Sequence, residues 1–492
     1  MQLVLIGLAI GVFLHDSPPL DAMTLRLPGY SLALVVLLPK LVLGGGYWLA
    51  CVGARQRLAG PGAVRRIKRL NLFTAALPVA ALVSYLVDLA AGGLVAVRGE
   101  PDADGFGPRD WVLVDELVLM LPTLGLIAWG WWAYYPIDRR LREVSLLRRA
   151  DEGLPLYPVW SRGQYVVTQM RNHFALILGP LLLIMAWSEL LVVLRAAERL
   201  SETQQLWLTP VGVGVAFLFA PLLIRRLWDT VPLPPGPVRD KLLSMCERHG
   251  VAVRDLLLWR TFGGMINAAV MGLFGRVRFI LLSDGLLDQV HEHEVEAVMA
   301  HELAHVRLKH LWWLLLSAAA ALTAITLVGE QLGRVIGSVF PDLPQWTIGV
   351  GYTLGFAWWA SMFGWVSRRI ERQADTFAAR HMVRVHAEYH RTAKDEANAE
   401  TAPHVFNERS VQTMIGALQR VADLNHIATT RRSWRHGSIA WRQRYLRTLV
   451  GQSLHHTSVD RQIFGIQIAC LVVLIPVLVW QVLPLVVGDG VL

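Results

Sequence analysis

A short stretch in the second half of this 492-residue chain places two histidines and a glutamate at a spacing that suits metal chemistry. His301-Glu302-Leu303-Ala304-His305 lies within 294–310, which has no Gly or Pro and is rich in helix-forming residues. On a helix, residues i and i+4 share a face, so His301 and His305 can bind one Zn²⁺ together. Glu302 lies about 100° around the helix, where it can take a proton from a metal-bound water.

This pentapeptide pattern is also compatible with a surface helix that carries two solvated histidines. The chain has 16 histidines, so a chance match has to be weighed. The stretch 294–310 is mostly apolar, however, and runs directly into the hydrophobic segment 311–332. These features favour the metal interpretation.

A catalytic zinc takes three protein ligands and keeps one position open, so a third ligand must come from elsewhere in the chain. The best candidate is Glu371 in the segment 367–380, where Asp375 follows at i+4 on the same helical face. Glu371 can bind the metal while Asp375 orients a ligand histidine through its second ring nitrogen. Taken alone, the segment would favour a solvated helix with Arg–Glu pairs.

The composition predicts a membrane protein. Hydrophobic residues make up 54% of the chain, charged residues only 17%, and the mean hydropathy is +0.42. Eight apolar runs reach the roughly 20 residues that a bilayer requires: 31–52, 72–97, 112–135, 174–195, 207–228, 311–332, 346–366 and 463–487. With residues 1–14 as a short anchor or half-embedded helix rather than a cleaved signal peptide, we expect eight or nine spans.

Loop charge predicts the orientation of these spans. The loop 55–71 holds six basic residues and no acid, and 136–172 holds seven arginines, whereas 98–110 has two arginines against four acids. The positive-inside rule places the first two loops in the cytoplasm. Both halves of the candidate site then face the cytoplasm, of a bacterial inner membrane or, in a eukaryote, an ER-type membrane.

The segment between the two sets of spans has the pattern of a small soluble α+β unit. The Pro-rich linker 231–237 precedes an amphipathic helix at 238–249. Short strand-like runs follow at 252–259, 265–271 and 276–282, and Ser283-Asp284-Gly285 leads back into helix. The predicted fold is therefore mostly α, a multi-pass α-helical membrane protein with a small α+β domain.

This interpretation divides the chain into five regions, listed here in chain order: an N-terminal bundle of five or six transmembrane helices at 1–230, a cytoplasmic protease segment at 231–310, a transmembrane hairpin at 311–366, a second cytoplasmic segment at 367–462, and a C-terminal transmembrane helix at 463–487. The polar stretch 385–410 is predicted to be a mobile loop with solvated histidines (His386, His390 and His404). Asp88 and Glu189 lie inside spans, where a structural ion pair, such as Glu189 with Arg195, and a cavity-lining role are both open.

Two further classes of site are excluded or disfavoured. The net charge is +9, but the arginines lie in loops and at span ends without interleaved aromatic residues, so we reject nucleic-acid binding. The three cysteines are far apart and predict buried thiols rather than disulfides.

Four motifs, in order, resemble the M48 zinc metalloproteases, which include the Ste24-type CaaX prenyl proteases and the HtpX-type membrane proteases. They are Asn267-Ala268 followed by Gly272, His301-Glu-Leu-Ala-His305, Glu371-Arg-Gln-Ala-Asp375, and His436-Gly-Ser-Ile-Ala-Trp-Arg442. The resemblance covers about 238–450. It departs from the family at Gly437, where Pro is usual, and in the span 463–487, and residues 1–230 match no motif.

The resemblance implies that the α+β unit is a zincin-like metalloprotease domain, and it assigns roles to these residues. It implies one Zn²⁺ bound by His301, His305 and Glu371, with Glu302 as general base. It also implies that Asn267 and Ala268 pair with the backbone of the substrate. His436 and Arg442 would stabilise the oxyanion or bind the substrate.

The function predicted is a membrane-embedded zinc endopeptidase that cleaves peptide or membrane-protein substrates, prenylated or not, at the cytoplasmic membrane face. The alternatives are a non-catalytic scaffold or chaperone with a structural zinc, and a transporter. Glu302 argues against the first, because a structural zinc does not need a general base. The lack of an evident inverted repeat argues against the second.

Overall fold

A computed structural model describes Leu27, Gly153 and residues 29–56, 63–92, 112–151, 156–174, 178–340, 346–393 and 404–487. The chain divides into two compact units, Met1–Thr230 and Val231–Leu492. Seven helices of the described residues are long and apolar enough to cross a membrane. The mostly α-helical, multi-pass fold class with a small sheet is confirmed. The predicted anchor at 1–14 lies outside the described residues.

The first unit consists of helices. Their bounds are Gly29–Gln56 (α1), Ala63–Ala90 (α2), Val114–Asp151 (α3), Arg162–Phe174 (α4), Leu178–Ala196 (α5) and Glu202–Leu227 (α6). All but α4 meet the length and hydropathy requirement for a membrane span. Large side chains that are fully buried, including Tyr85, Met120 and Ile137, lie in the core that α1, α2 and α3 share with α4 and α5.

The two ionisable residues predicted inside these spans have different partners. Asp88 is completely buried and its Oδ2 lies 2.6 Å from Nζ of Lys40. Lys40 also donates to Ser84 Oγ at 3.0 Å. Asp88 thus belongs to a buried ion pair between α1 and α2. Oε2 of Glu189 accepts a hydrogen bond from the backbone N–H of Leu113 at 2.6 Å.

The second unit combines helices with one sheet. Its elements are β1 (Thr230–Pro232), α7 (Pro237–Arg248), β2 (Asp255–Trp259), β3 (Ala268–Met271), β4 (Phe279–Ser283), α8 (Asp284–Gln289), α9 (Glu292–Arg307), α10 (His310–Val339), α11 (Trp346–Ala393), α12 (Glu408–Leu424), α13 (Ile439–Arg447) and α14 (Ser458–Val487). Of these, α10 and α14 meet the span requirement. The predicted span 346–366 forms the first part of α11 but does not reach that hydropathy, because Gly, Trp and Tyr dilute its aliphatic residues.

The sheet has the strand order β1-β2-β4-β3. β2 pairs with β4 in parallel and β3 pairs with β4 antiparallel. All five residues of β4 are buried, as expected for an inner strand. Each observed strand is shorter than the run that predicted it. The strand order places β3, which begins at Ala268 of the Asn-Ala motif, at one edge of the sheet.

Helix α11 corrects one predicted boundary, the start of the mobile loop at 385. It runs without interruption from Trp346 to Ala393, through the predicted end of a span at 366 and into the predicted mobile loop at 385–410. A change from apolar to polar residues does not end a helix, and Gly and Pro are absent between 365 and 393. His386 lies on this helix, with Nδ1 3.2 Å from Ser410 Oγ. Residues 394–403 lie outside the described residues.

Helix α9 lies at the centre of the second unit. Its residues Ala297, Ala300, Leu303 and Ala304 have no exposed surface. These small and apolar side chains allow β3, α11 and α12 to pack closely around the helix. The His-Glu-Leu-Ala-His segment is therefore held in a rigid interior, as the precise placement of ligands requires.

Candidate metal centre

The two histidines of α9 and one carboxylate of α11 converge on one point. Nε2 of His301 and Nε2 of His305 lie 3.3 Å apart. The Glu371 carboxylate lies 3.6 Å from the first nitrogen and 3.8 Å from the second. Among the described residues, these three form the group whose donor atoms could hold a metal ion together. The sequence predicted this set of three, which comes from two helices far apart in the chain.

The spacing of these atoms suits zinc. With zinc–ligand distances of about 2.0–2.1 Å and tetrahedral angles, neighbouring ligand atoms lie about 3.3–3.4 Å apart. The separations of 3.3, 3.6 and 3.8 Å among His301, His305 and Glu371 are close to that edge length. Two nitrogens and one carboxylate are also the donor set of many catalytic zinc sites. The residues present therefore fit the metal.

The second ring nitrogen of His301 faces another carboxylate. Its Nδ1 lies 3.0 Å from Oδ1 of Asp375, which has no exposed surface. Burial by itself would lower the pKa of His301, but Asp375 and Glu371 outweigh burial and raise that pKa to about 9. These two carboxylates thus favour positive charge at His301, whether from a proton or from a metal ion.

Arg442 lies behind both carboxylates. Its Nε donates to Oδ2 of Asp375 at 2.7 Å and its Nη2 donates to Oδ1. Its Nη1 lies 3.2 Å from Oε2 of Glu371. Although burial opposes ionisation, Arg442, followed by contacts with His301 and His436, holds the pKa of Glu371 well below its usual range. Glu371 is therefore kept ionised, as a metal ligand must be.

His436 is an exposed side chain that contacts the group. Its Nδ1 lies 2.9 Å from Oε1 of Glu371, and 54% of its side chain is exposed. It is followed by Gly437, whose φ of +75° is not available to the proline that the family pattern places there. The departure from the family pattern at 437 thus accompanies a left-handed backbone, which glycine adopts without strain.

Glu302 adjoins the histidine pair on α9. Burial raises its pKa to about 7, although His301, His436 and Arg442 act in the opposite direction. A carboxylate with a pKa near neutrality can both accept and release a proton, as a general base that later acts as an acid must do.

The free edge of β3 lies on the same unit. Ser283 N–H donates to the carbonyl of Asn267 at 3.0 Å, so the backbone of Asn267 points toward β4. Because backbone groups of successive residues in a strand point to opposite sides, those of Ala268 and Val270 point away from the sheet. Among the described residues, they have no hydrogen-bond partner on that side. That Asn267 and Ala268 pair with a substrate stays a prediction; the backbone groups that point away from β4 are those of Ala268 and Val270.

Asn425 closes one end of this edge, a feature that the sequence did not reveal. Its Oδ1 accepts from the backbone N–H of Ile266 at 3.0 Å, and its Nδ2 donates to the carbonyl of Ile266 at 2.8 Å. Its side-chain amide thus pairs with the strand as a peptide group would. At the other end, Gly272 has a φ of +100°, and a side chain there would collide with the carbonyl of Val277. The open stretch therefore runs from Ala268 to Met271.

Comparison with known proteins agrees with this geometry. Residues 261–415 match the model of peptidase family M48. The Protease HtpX homologue of Herminiimonas arsenicoxydans is 26% identical over 34% of this chain and 57% of its own length. The Protease HtpX homologue of Bordetella petrii is 27% identical over 36% of this chain and 67% of its own length. Protease HtpX of Xanthomonas euvesicatoria pv. vesicatoria is 27% identical over 34% of this chain and 62% of its own length. The chain thus spans about three fifths of the length of these relatives.

Among solved structures, that of Ste24p from S. mikatae is similar at a TM-score of 0.43 and 14% identity, over 84% of this chain and 98% of that one. The matched range 261–415 contains His301, Glu302, His305, Glu371 and Asp375, whereas His436 and Arg442 follow it. Residues 261–415 thus match peptidase family M48, in a chain whose described residues include seven helices long and apolar enough to cross a membrane.

Proposed function

We propose that this protein is a zinc-dependent endopeptidase that cleaves extended segments of peptides or membrane proteins. The observation that carries the proposal is the convergence of His301, His305 and Glu371 beside Glu302, whose pKa is near 7. Such a group combines a metal site with a proton acceptor. Neither a scaffold nor a transporter needs this combination.

Zinc, when bound, supplies Lewis acidity that activates water and polarises the scissile carbonyl. His301, His305 and Glu371 would hold the ion. Glu302 accepts a proton from the attacking water on its carboxylate and then delivers that proton to the leaving amine. The half-exposed imidazole of His436 lies beside Glu371, where it can donate a hydrogen bond to the developing oxyanion.

For Arg442 the contacts favour a different role from the one that the family resemblance implied. Its guanidinium is 9% exposed and contacts Asp375 and Glu371 inside the chain. We therefore assign to Arg442 the task of holding these two carboxylates in place. Contact with the substrate is left to His436.

The substrate would be bound as an added strand. An extended peptide beside β3 forms main-chain hydrogen bonds with the outward groups of Ala268 and Val270, whatever its side chains. Asn425 limits the pairing at Ile266 and so defines where the bound peptide can begin. This mode of recognition suits unfolded segments of many sequences.

We place the site at the cytoplasmic face of the membrane. The basic loops 55–71 and 136–172 support this orientation through the positive-inside rule. The HtpX relatives are bacterial, which supports a bacterial inner membrane as the location.

The experiment compares the purified full chain with Glu302→Gln in cleavage of an unstructured peptide and of a denatured membrane protein. Losing the proton acceptor should lower the cleavage rate by a factor of about 10²–10⁴ while the bound zinc stays at one ion per chain. The control is Glu292→Gln, an exposed residue of the same helix, which should cleave normally. Undiminished cleavage by Glu302→Gln would refute the mechanism.

Removal of the metal tests the same proposal from another side. A chelator should abolish cleavage and added Zn²⁺ should restore it. Zinc bound without cleavage of any probe by the wild-type chain would support the structural-zinc scaffold instead.

A further inference from the structure

His310 lies next to the metal centre although it is outside the His-Glu-Leu-Ala-His motif. On an uninterrupted helix, a residue five positions after His305 would point about 140° away from it. Here α9 ends at Arg307, and Lys309 takes a left-handed φ of +55° before α10 begins at His310. This break turns His310 back toward α9. Its Nδ1 lies 3.1 Å from Nδ1 of His305, and only 3% of the residue is exposed.

A chain of hydrogen bonds continues from His310 to the partly exposed carboxylate of Asp460. Nε2 of His310 lies 3.0 Å from Oε1 of Gln373, and Nε2 of Gln373 donates to Oδ1 of Asp460 at 2.9 Å. The second oxygen of Asp460 accepts from Thr457 Oγ1 at 2.8 Å and lies 3.2 Å from Nη2 of Arg380. Each contact of Asp460 is thus one that a carboxylate makes as an acceptor.

The direction of every hydrogen bond follows from the carboxylate at the end. Because Asp460 can only accept, Gln373 must turn its amide nitrogen toward it and its oxygen toward His310. That oxygen requires the N–H of His310 at Nε2, which leaves a lone pair on Nδ1. His305 must then donate from its own Nδ1, so its Nε2 carries the lone pair that faces His301 and Glu371.

We propose that His310, with Gln373 and Asp460 behind it, is a positioning residue that fixes the tautomer and the ring orientation of His305 for metal binding. The inference rests on the proposed zinc site. It gives each ligand histidine its own partner at Nδ1: Asp375 for His301, and His310 for His305. Outer partners of this kind raise metal affinity because they hold the ligand ring in its binding geometry.

The proposal also connects the metal centre to the last helix. Asp460 lies in the first turn of α14, so this helix supplies the charged end of the network. The sequence resemblance gave the C-terminal span no counterpart in the family. In this proposal the first turn of α14 helps to orient His305 of α9, through Gln373 of α11 and His310 of α10.

The experiment measures zinc affinity of the full chain in detergent by competition with a chelator, together with the visible spectrum of the Co²⁺-substituted protein. His310→Leu removes both hydrogen-bonding atoms and should weaken zinc binding by a factor of about 10–100. It should also change the Co²⁺ spectrum, because the His305 ring is free to rotate. His310→Gln keeps an acceptor for His305 and a donor for Gln373, and should restore most of the affinity.

Two further variants complete the design. Gln373→Met leaves His310 in place without its fixed direction, so we expect a smaller loss of affinity than for His310→Leu. The control is His293→Leu, an exposed histidine of α9, which should bind zinc like the wild type. Thermal unfolding of each variant in excess chelator reports whether the metal-free fold is intact, separately from metal binding.

The outcomes distinguish failure of the positioning role of His310 from failure of the proposed zinc-dependent function. If the wild type binds zinc but His310→Leu binds it equally well with an unchanged Co²⁺ spectrum, the positioning role is refuted and the metal site stands. Equal weakness of His310→Gln and His310→Leu would also refute it, since the hydrogen bonds would then be irrelevant. If the wild type binds no zinc, the proposed function fails as well.

Discussion

Arg442 and Asp375 face each other in a two-point contact at the back of the candidate metal centre. The guanidinium Nε donates to Oδ2 of Asp375 at 2.7 Å, and Nη2 donates to Oδ1. The same Oδ1 lies 3.0 Å from Nδ1 of His301. Arg442 therefore contacts the carboxylate that in turn contacts His301, a candidate metal ligand.

The first prediction concerns this contact. Arg442→Lys keeps the charge but cannot form the planar two-point contact, so Asp375 should lose its fixed position behind His301. We expect zinc affinity to fall by a factor of about 10–100, measured by chelator competition. Arg442→Met should be worse, because it leaves two buried carboxylates without their cation.

A role of Arg442 in binding substrate would give a different result from a role in positioning Asp375. If Arg442 bound substrate, Arg442→Lys would keep normal zinc affinity and raise KM alone. Arg444→Lys, at an exposed position of the same helix, serves as the control for exchanging arginine for lysine.

The second prediction concerns the open edge of β3. Val270→Pro removes an N–H that points away from the sheet, which an edge strand tolerates. The protein should fold normally but lose a main-chain hydrogen bond to the substrate, so KM for unstructured peptides should rise several-fold with little change in kcat. Steady-state kinetics on a peptide series measures both constants.

A matched substitution one residue away provides the control. Ala269 points its N–H toward β4, opposite Leu281. Ala269→Pro should therefore lower the unfolding temperature, because it removes a ladder hydrogen bond. Equal kinetic and thermal behaviour of the two variants would mean that β3 has no free side for a peptide.

The third prediction concerns the pH dependence of stability through Glu296 on α9. Its carboxylate lies 3.2 Å from Nε2 of His381 and 3.0 Å from Nζ of Lys241. Burial opposes ionisation, but these two partners together lower the pKa of Glu296 below its usual value. The resulting stability is complete above the unfolded pKa of about 4.3 and is lost as pH falls through the lowered folded value.

Glu296→Gln should thus destabilise the protein by about 1–3 kcal/mol at pH 7. The difference from wild type should shrink as the pH falls below about 4.3. Thermal unfolding in detergent across this range measures it. Glu292→Gln removes an exposed partner of the same Lys241 and should have little effect at any pH. A pH-independent difference for Glu296→Gln would show that its charge is irrelevant.

The fourth prediction concerns the buried ion pair of the first unit. Asp88→Leu leaves Lys40, which is 6% exposed, without its counter-charge, and should destabilise that unit by about 3–5 kcal/mol. The double variant Lys40→Met/Asp88→Leu should recover most of the loss, because no charge remains buried. Unfolding of both variants measures the coupling; additive losses would mean that the pair is not an energetic unit.

The sequence alone determined the features that depend on residues close together in the chain, such as helix faces and membrane helices. The i, i+4 spacing puts His301 and His305 on one face of any helix, and the apolar runs predict membrane helices because each needs only its own length and composition. The third candidate ligand, Glu371, was predicted by the same short-range logic, applied to a second segment and supported by a family resemblance.

The tertiary structure decided which partner each polar group has. Arg442 carries five donors, and a buried guanidinium must find acceptors, but only packing shows that these are Asp375 and Glu371 rather than a substrate. The position of His310 depends on the left-handed backbone conformation of Lys309, which a lysine in the sequence does not predict.

The length of α11 and the outward direction of Ala268 were likewise set beyond the local sequence. Polar residues after 366 and 385 continue the helix because its buried face packs on α9 and α12. The two sides of β3 are distinguished only by the register with β4. Spacing along the chain fixes which groups share a face, whereas the direction and pairing of each hydrogen bond require the positions of residues that are distant in sequence.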